Sequence, residues 1–332
     1  MPLSTDVHVN GPLTNMSLKV AQSLDMFLAT KVFPPVRVAK ESDLYYVYTA
    51  ADLSRDWAEL RGENTEAALA DYAVTDDNYF CNEWSAGKDV SKREFANSDV
   101  PLKPEADAVD FVTRALFIRR ERLWSAAFIG TGIWGTDVAG QVGAPGGPLE
   151  FYFWSDIVNG TPLEDVEDWK ALVLLKTGIE PNTLVVTNDV WKKLKSHPTI
   201  KTLMAYNSPA FAANGGKITT QMVADMMELD QVFVSKSVYN TAAPGLAASN
   251  AYIAGSKSAL LIYAAPNPGI STASAGYNFL WTGADGVNAE AISIIQEPVP
   301  NKNTKFRIEG SLFYDAKIVS ADLGLFATTV IA

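Results

Sequence analysis

Cysteine and histidine are almost absent: Cys81, His8 and His197 are all that 332 residues contain. A single cysteine excludes an internal disulfide and fits a reducing compartment. Cys81 reads as a small packed side chain rather than a nucleophile. His8 sits in a polar N-terminal segment. His197 immediately precedes Pro198, at a helix end where it can meet the last carbonyls. Neither a Ser-His-Asp triad nor a His-rich metal site is expected from so few groups. Long apolar runs are missing too. The stretch 259–265, ALLIYAA, is far short of the ~20 residues that span a membrane. The first residues, MPLSTDVHVNGPLTN, lack the charged and apolar regions of a secretion signal, so the sequon Asn159-Gly160-Thr161 is given no role. Basic charge is scarce: 27 Lys and Arg face 38 Asp and Glu, a net charge of −11. A broad face gripping a phosphate backbone is normally basic, so tight nucleic-acid binding is not expected, and an acidic surface would let DNA slide past.

What remains is a chain long enough for about two lobes, with 48% hydrophobic residues, as a packed core requires. Residues 1–30 read as extended, then briefly helical. In KVFPPVRVAKESDLYYVY (31–48), Val36 and Val38 alternate with charged residues, KESD reads as a turn, and Leu44, Tyr46 and Tyr48 alternate again. That pattern predicts a hairpin with one apolar face. Residues 51–72 are polar and alanine-rich, and strand-like sequence returns over 73–90. The whole of 36–90 thus reads as a long two-stranded arm with a polar tip, which on its own would be marginal and must pack on something.

Pro104 opens the strongest helix, PEADAVDFVTRALFIRRERLWSAAFIG, with Glu105 and Asp107 at the positive end of its dipole. Val109, Val112, Leu116 and Leu123 form its predicted stripe, widened by Phe111, Ile118 and Trp124. A glycine-rich link (130–148) leads to an α/β lobe. There Thr161 to Glu164 has the pattern of a capping box and Gly178 the place of a left-handed cap. TLVVT (183–187) reads as a buried strand and NDVWKKLKSH as a helix stopped by Pro198. Ile218 and Val223 could staple the helix TTQMVADMMEL, and strands follow at QVFVSKSV, AYIAG and SALLIYA. From Pro266 the chain is strand and loop to its end.

Few motifs carry chemistry. Gly130, Gly132 and Gly135 match a dinucleotide fingerprint in letters, but they follow a helix and lead into more glycine, whereas the motif must follow a strand and open a helix. They read as a flexible link. Glu164, Asp165, Glu167 and Asp168 crowd the first turns of a helix, which the dipole explains. Asp76-Asp77-Asn78 lacks calcium-loop spacing and reads as a turn. Arg114, Arg119, Arg120 and Arg122 cluster beside Glu121 on the long helix, as a solvated face with local ion pairs, as a contact to an acidic neighbouring subunit, or as a contact to DNA, which the acidic total disfavours. The aromatics Tyr45, Tyr46, Tyr48, Trp57, Tyr72, Tyr79 and Trp84, with Arg61 near the tip, have little core of their own and read as an interface ribbon. Candidate subunit-interface residues are therefore Tyr45, Tyr46, Tyr48, Trp57, Arg61, Arg114, Arg119, Arg120 and Arg122. No catalytic, cofactor or metal residues are assigned.

The blocks KVFPPVRVAKESDLYYVY, FVTRALFIRRERLWSAAFIGTGIWGTDV, DWKALVLLKTGIEPNTLVVTNDVWKKLKSHPTI and ITTQMVADMMELDQVFVSKSVYN, in this order, resemble tailed-bacteriophage major capsid proteins of the Hong Kong 97-type fold. The resemblance spans nearly the whole chain. It implies an α+β fold with an N-terminal arm (1–35), an extended E-loop and the start of a peripheral domain (36–90), and the rest of that domain with its spine helix (91–154). An axial domain (155–265) and C-terminal strands that rejoin the peripheral domain (266–332) would follow. It also implies a homo-oligomer of hexamers and pentamers that encloses double-stranded DNA without sequence-specific binding and without a membrane. A scaffolding protein and a portal would accompany it, a decoration protein is an option, and the virion would be assembled in the host cytoplasm. The family's name-giving member carries a long N-terminal propeptide and crosslinks its E-loop through lysine. Here the chain starts with the arm, which implies a separate scaffold or a removed propeptide, and residues 51–72 hold no lysine, which implies a shell without crosslinks. The alternatives are an encapsulin-like nanocompartment shell enclosing cargo enzymes, which neighbouring genes would distinguish, and a soluble enzyme, which the shortage of His and Cys disfavours.

Overall fold

The computed structural model of the chain describes residues 22–48, 54–69, 71–98, 103–207, 217–269, 272–283, 287–299 and 304–332. His8 lies outside them. In chain order the strands are β1 (Pro35–Val38), β2 (Ser42–Tyr48), β3 (Val74–Phe80), β4 (Asn82–Ser91), β5 (Thr136–Gln141), β6 (Glu150–Tyr152), β7 (Thr183–Thr187), β8 (Gln231–Ser235), β9 (Val238–Asn240), β10 (Asn250–Tyr252), β11 (Ala259–Ile262), β12 (Gly276–Trp281), β13 (Ile292–Glu297), β14 (Thr304–Ile318) and β15 (Gly324–Thr328). The helices are α1 (Ala29–Val32), α2 (Lys92–Ala96), α3 (Pro104–Phe128), α4 (Pro162–Thr177), α5 (Asn188–Ser196), α6 (Pro198–Asn207) and α7 (Thr220–Met226).

Two sheets organise the chain. The larger has the order β6-β5-β15-β11-β7-β8. Its central strands, TLVVT and ALLI, are buried at every position, because both faces are covered and alternation has no purpose. Leu184, Val186, Leu261 and Leu325 pack under α4 and α5 through Val166, Trp169, Val190 and Leu194. Val185, Leu260, Ile262 and Phe326 face the other way, onto Trp124, Phe128 and Phe33. The second sheet is built on β14, a strand of 15 residues. β4 pairs along one of its edges; β13 and then β12 share the other, and β1 extends the sheet parallel to β12.

α3 joins the two sheets. Ala108, Val112, Leu116, Arg120, Trp124 and Phe128 are all buried and recur every four residues, one face of a helix. The first three pack with Phe306, Ile308 and Leu312 of β14; Trp124 and Phe128 pack on the larger sheet. A Cβ at Gly310 would lie 2.6 Å from Val112, so glycine there lets the helix approach β14. The burial stripe contains Val112, Leu116 and Trp124 as expected, while Phe111 is exposed.

Several sequence expectations are corrected. β1 and β2 form no hairpin: β1 pairs with β12, and β2 pairs with β3. Within β2 the more buried positions are Tyr45 and Val47, not Leu44 and Tyr46. Asp76, Asp77 and Asn78 lie inside β3 rather than in a turn. The link after α3 contains β5, a paired strand of the larger sheet. Gly130, Gly132 and Gly135 do precede a strand and follow a helix, the reverse of the dinucleotide arrangement.

The capping box does not form. Pro162 takes the first helical turn of α4, but Thr161 makes no cap hydrogen bond. Its hydroxyl donates instead to Asp165 (3.3 Å), and Trp154 Nε1 donates to the same carboxylate at 2.8 Å. Asp165 is therefore turned inward against Trp154, which stacks on Trp169 with ring centroids 5.4 Å apart. At the other end, Gly178 (φ 73°) closes the helix in the left-handed conformation, its N–H donating to Leu174 O at 2.8 Å.

The described N-terminal segment is held by two buried polar residues. Glu121, on α3, accepts from the N–H groups of Leu28 (2.9 and 3.0 Å) and Ala29 (2.8 Å) and from the Ser237 hydroxyl at 3.1 Å. These are orphan donors at the start of α1, where a carboxylate also meets the helix dipole. At the other end of α1, the Asn278 side-chain amide donates to the carbonyls of Ala29 and Phe33, and its oxygen accepts from the Tyr314 hydroxyl at 2.7 Å. Burial raises the Glu121 carboxyl above its ordinary value, against the pull of its hydrogen bonds and of Arg120.

Glu121→Ala leaves the Leu28 and Ala29 amides buried and unpaired, a loss of about 2–4 kcal/mol; chemical unfolding measures it, and faster hydrogen exchange at residues 28 and 29 localises it. Glu121→Gln keeps an acceptor and loses less. Burial pushes the Asp165 carboxyl from 3.8 to about 6, despite the Trp154 and Thr161 bonds. The folded state therefore holds a proton that the unfolded chain releases, and the stability this contributes is present below about pH 4 and lost as pH rises through about 6. Asp165→Asn should flatten the stability profile over that window, by no more than about 3 kcal/mol.

Candidate assembly surfaces

The arm expected from the sequence is the two-stranded β2–β3 sheet, paired from Ser42↔Phe80 to Tyr48↔Val74. Its base is fixed to its own chain. Tyr79 stacks on Phe279 at 4.6 Å, Tyr45 lies 5.7 Å from the same ring, and the Tyr45 hydroxyl donates to Asp77 at 2.8 Å. Cys81 is buried in this cluster, where burial pushes its thiol up to about 12, the state of a packed group and not of a nucleophile.

Beyond the base the arm has no core. Every described residue from 54 to 78 is exposed. Leu60 and Leu69 are 104% and 93% exposed, and Tyr46, Tyr72, Trp57 and Val74 also face solvent. So many solvated apolar groups on one projection form a patch of the kind monomeric proteins avoid. Trp57 has the Arg55 guanidinium over its ring at 5.6 Å, and Arg61 Nε donates to Thr65 O at 2.6 Å, which folds the tip on itself. Tyr48 ends β2; its side chain lies outside the described residues.

The structure disperses the arginines of α3. Arg114 pairs with Asp110 at 2.9 Å and reaches Gln22 O at 2.7 Å. Arg119 lies over the Trp84 ring at 3.7 Å. Arg120 is buried, pairs with Glu290 at 2.9 Å and sits over Phe117. Arg122 lies over Tyr239. Each ties α3 to a different part of the chain: the N-terminal segment, β4, the segment before β13, and β9. The carboxylates of α4 divide as well. Asp165 is internal, Glu164 and Asp168 are exposed, and Glu167 joins Glu180 (3.0 Å) and Glu228 (3.9 Å) around the buried Lys170. Among the described residues no group of three or more His, Cys, Asp or Glu is arranged to hold a metal ion.

The residues that sequence reasoning missed are Glu121 and Asn278. Glu121 is one turn before Ser125 and Trp124 on the buried side of α3. An acid at that spacing in an otherwise apolar face was the available signal. Asn278, in the part read only as strand and loop, offered no comparable sign.

Residues 154–254, from Trp154 to two residues past β10, match the family model for phage major capsid protein E. The major capsid protein of Pseudomonas phage JBD67 is 22% identical over 229 residues, 69% of either chain. Among solved structures, a phage-related protein from Bordetella bronchiseptica RB50 superposes with a TM-score of 0.64 at 17% identity, over 92% of both chains. The capsid of cyanophage P-SCSP1u gives 0.62 at 8% identity, over 99% of this chain and 94% of the other. The holo-SrpI encapsulin of Synechococcus elongatus PCC 7942 gives 0.51 at 13% identity, over 96% and 94%. At these identities the superpositions speak to the fold, a mixed α+β arrangement shared by phage capsid proteins. In sequence and in fold, this chain is similar to the major capsid proteins of tailed bacteriophages, of the Hong Kong 97 type.

Proposed function

We propose that the chain is the major capsid protein of a tailed double-stranded DNA bacteriophage and self-assembles into the icosahedral head shell. One observation carries the mechanism: the β2–β3 arm is locked at its base, and every described residue from 54 to 78 is exposed. A two-stranded ribbon is marginal in water alone. Laid on an adjacent copy, it gains the burial that its own chain does not supply.

In this reading the arm is the E-loop and α3 the spine helix of a peripheral domain. The lobe from about 155 to 265 is the axial domain, and β12 to β14 return to the peripheral domain. Residues 27–33 pack in their own chain's core, so an N-terminal arm that reaches a neighbour begins upstream of them. Tyr46, Trp57 and Arg61, on the exposed part of the arm, are the interface residues this proposal leans on most. Arg114, Arg119, Arg120 and Arg122 would set the rigid body that carries the arm. The copies would form hexamers and pentamers, with a scaffolding protein and a portal as assembly partners, in the host cytoplasm. Catalysis has no part in it. An encapsulin-like shell is the second reading, favoured by the likeness to the SrpI encapsulin; the curated relative above is a phage capsid protein, which favours the first.

Leu60→Asp with Leu69→Asp tests the arm. Both side chains are solvated in the single chain, so stability should change by no more than about 0.5 kcal/mol, while negative-stain microscopy should show rings or free subunits in place of closed shells. Normal shells from the double variant would refute the arm as the joining element. Wild-type particles should also run as single chains on a denaturing gel, without a covalent ladder.

A further inference from the structure

The chain is acidic overall, yet residues 188–201 hold four lysines, Lys192, Lys193, Lys195 and Lys201, against one acid, Asp189. α5 and α6 follow each other here with only His197 between them. Val190, Trp191, Leu194 and Ile200 face inward and fix the pair on the larger sheet. That burial leaves Lys192, Lys193 and Lys201 fully on the outside, with Lys195 half-buried against the Trp191 ring at 5.7 Å. Asp189 bonds Lys192 at 3.0 Å, and the Lys192 side chain is still 61% exposed. Among the described residues, Lys193, Lys195 and Lys201 make no ion pair, unlike Lys192. The acid-bearing helix α4 covers the same face of the sheet over β15, while α5 lies by β7 and β8; Asp156 is close enough to His197, between α5 and α6, to interact with it.

We propose that this lysine face of α5 and α6 contacts the phosphate backbone of the enclosed double-stranded DNA, weakly and without regard to sequence. The inference rests on the capsid reading for the identity of the DNA, and on the local charge for the contact. Lysine is a mobile point charge suited to phosphate, and lysine is depleted in the cores of protein–protein interfaces, so a second copy of the chain fits this face less well. About three exposed cations are too few for tight binding, which agrees with a net charge of −11. Inside a shell they need not bind tightly, because enclosure keeps the local phosphate concentration high.

The test uses the full-length unassembled chain and a short fluorescent duplex, read by anisotropy at several salt concentrations. With about three phosphates neutralised, affinity should fall on the order of 50- to 100-fold between about 20 and about 100 mM salt. The variant Lys192→Gln, Lys193→Gln, Lys201→Gln should lose that dependence and still form shells. An unchanged salt slope in the variant, or no duplex binding by the wild-type chain at the lowest salt, overturns the proposal. A variant that binds duplex like wild type but no longer assembles also overturns it and makes the face a subunit contact. If the wild-type chain forms no shells even when co-expressed with the scaffolding protein encoded beside it, while the salt dependence behaves as expected, the capsid reading fails and the phosphate contact stands.

Discussion

The buried carboxylate of Glu121 is the constraint on which the rest of the arrangement depends. It sits on the helix that bridges both sheets, and it is aimed at two backbone N–H groups of the N-terminal segment and at Ser237. A buried charge is costly unless it is fully hydrogen-bonded, and here the bonds come from two distant parts of the chain, the segment at Leu28 and Ala29 and the residue Ser237. Together with Asn278 at the other end of α1, it fixes where residues 27–33 lie. Their apolar side chains then close the face of the larger sheet that α3 leaves open.

A rigid body follows from that closure. α3 cannot shift along one sheet without moving on the other, since a single four-residue repeat of buried side chains serves both. Its arginines reinforce this by reaching outward to four separate elements instead of forming a cationic surface. The arm is the counterpart. The cluster of Tyr79, Cys81, Tyr277 and Phe279 anchors it on β12, and past that point the chain spends no buried area on it. A body rigid at the root and unsatisfied at the tip suits an exchange of contacts between copies, where each subunit completes its neighbour.

Charge is distributed with the same division. Acids dominate the chain, and the buried lysine, Lys170, is surrounded by three of them. Against that background the exposed lysines of α5 and α6 stand apart. An acidic shell protein with one modest basic face would hold packaged DNA loosely and release it readily, since so few contacts are undone by ordinary salt.

Local signals made much of this legible in the sequence. Proline and early acids placed the start of α3, a continuous apolar run gave β7 and β11, and Gly178 marked the end of α4, because each depends on neighbours within a turn or a strand. The scarcity of His and Cys likewise bore on function without any fold. Pairing was decided by tertiary structure alone. The alternation around Val36 to Tyr48 is real, yet β1 and β2 go to different sheets, since the partners of a strand are set by which distant strand completes its hydrogen bonds. Thr161 had the letters of a capping residue and gave its hydroxyl to Asp165, because Trp154 had already drawn that carboxylate inward. Nor could composition show that Glu121 is an internal clamp and not a surface charge: its partners are backbone N–H groups 92 and 93 residues away, and backbone groups are the same in every sequence.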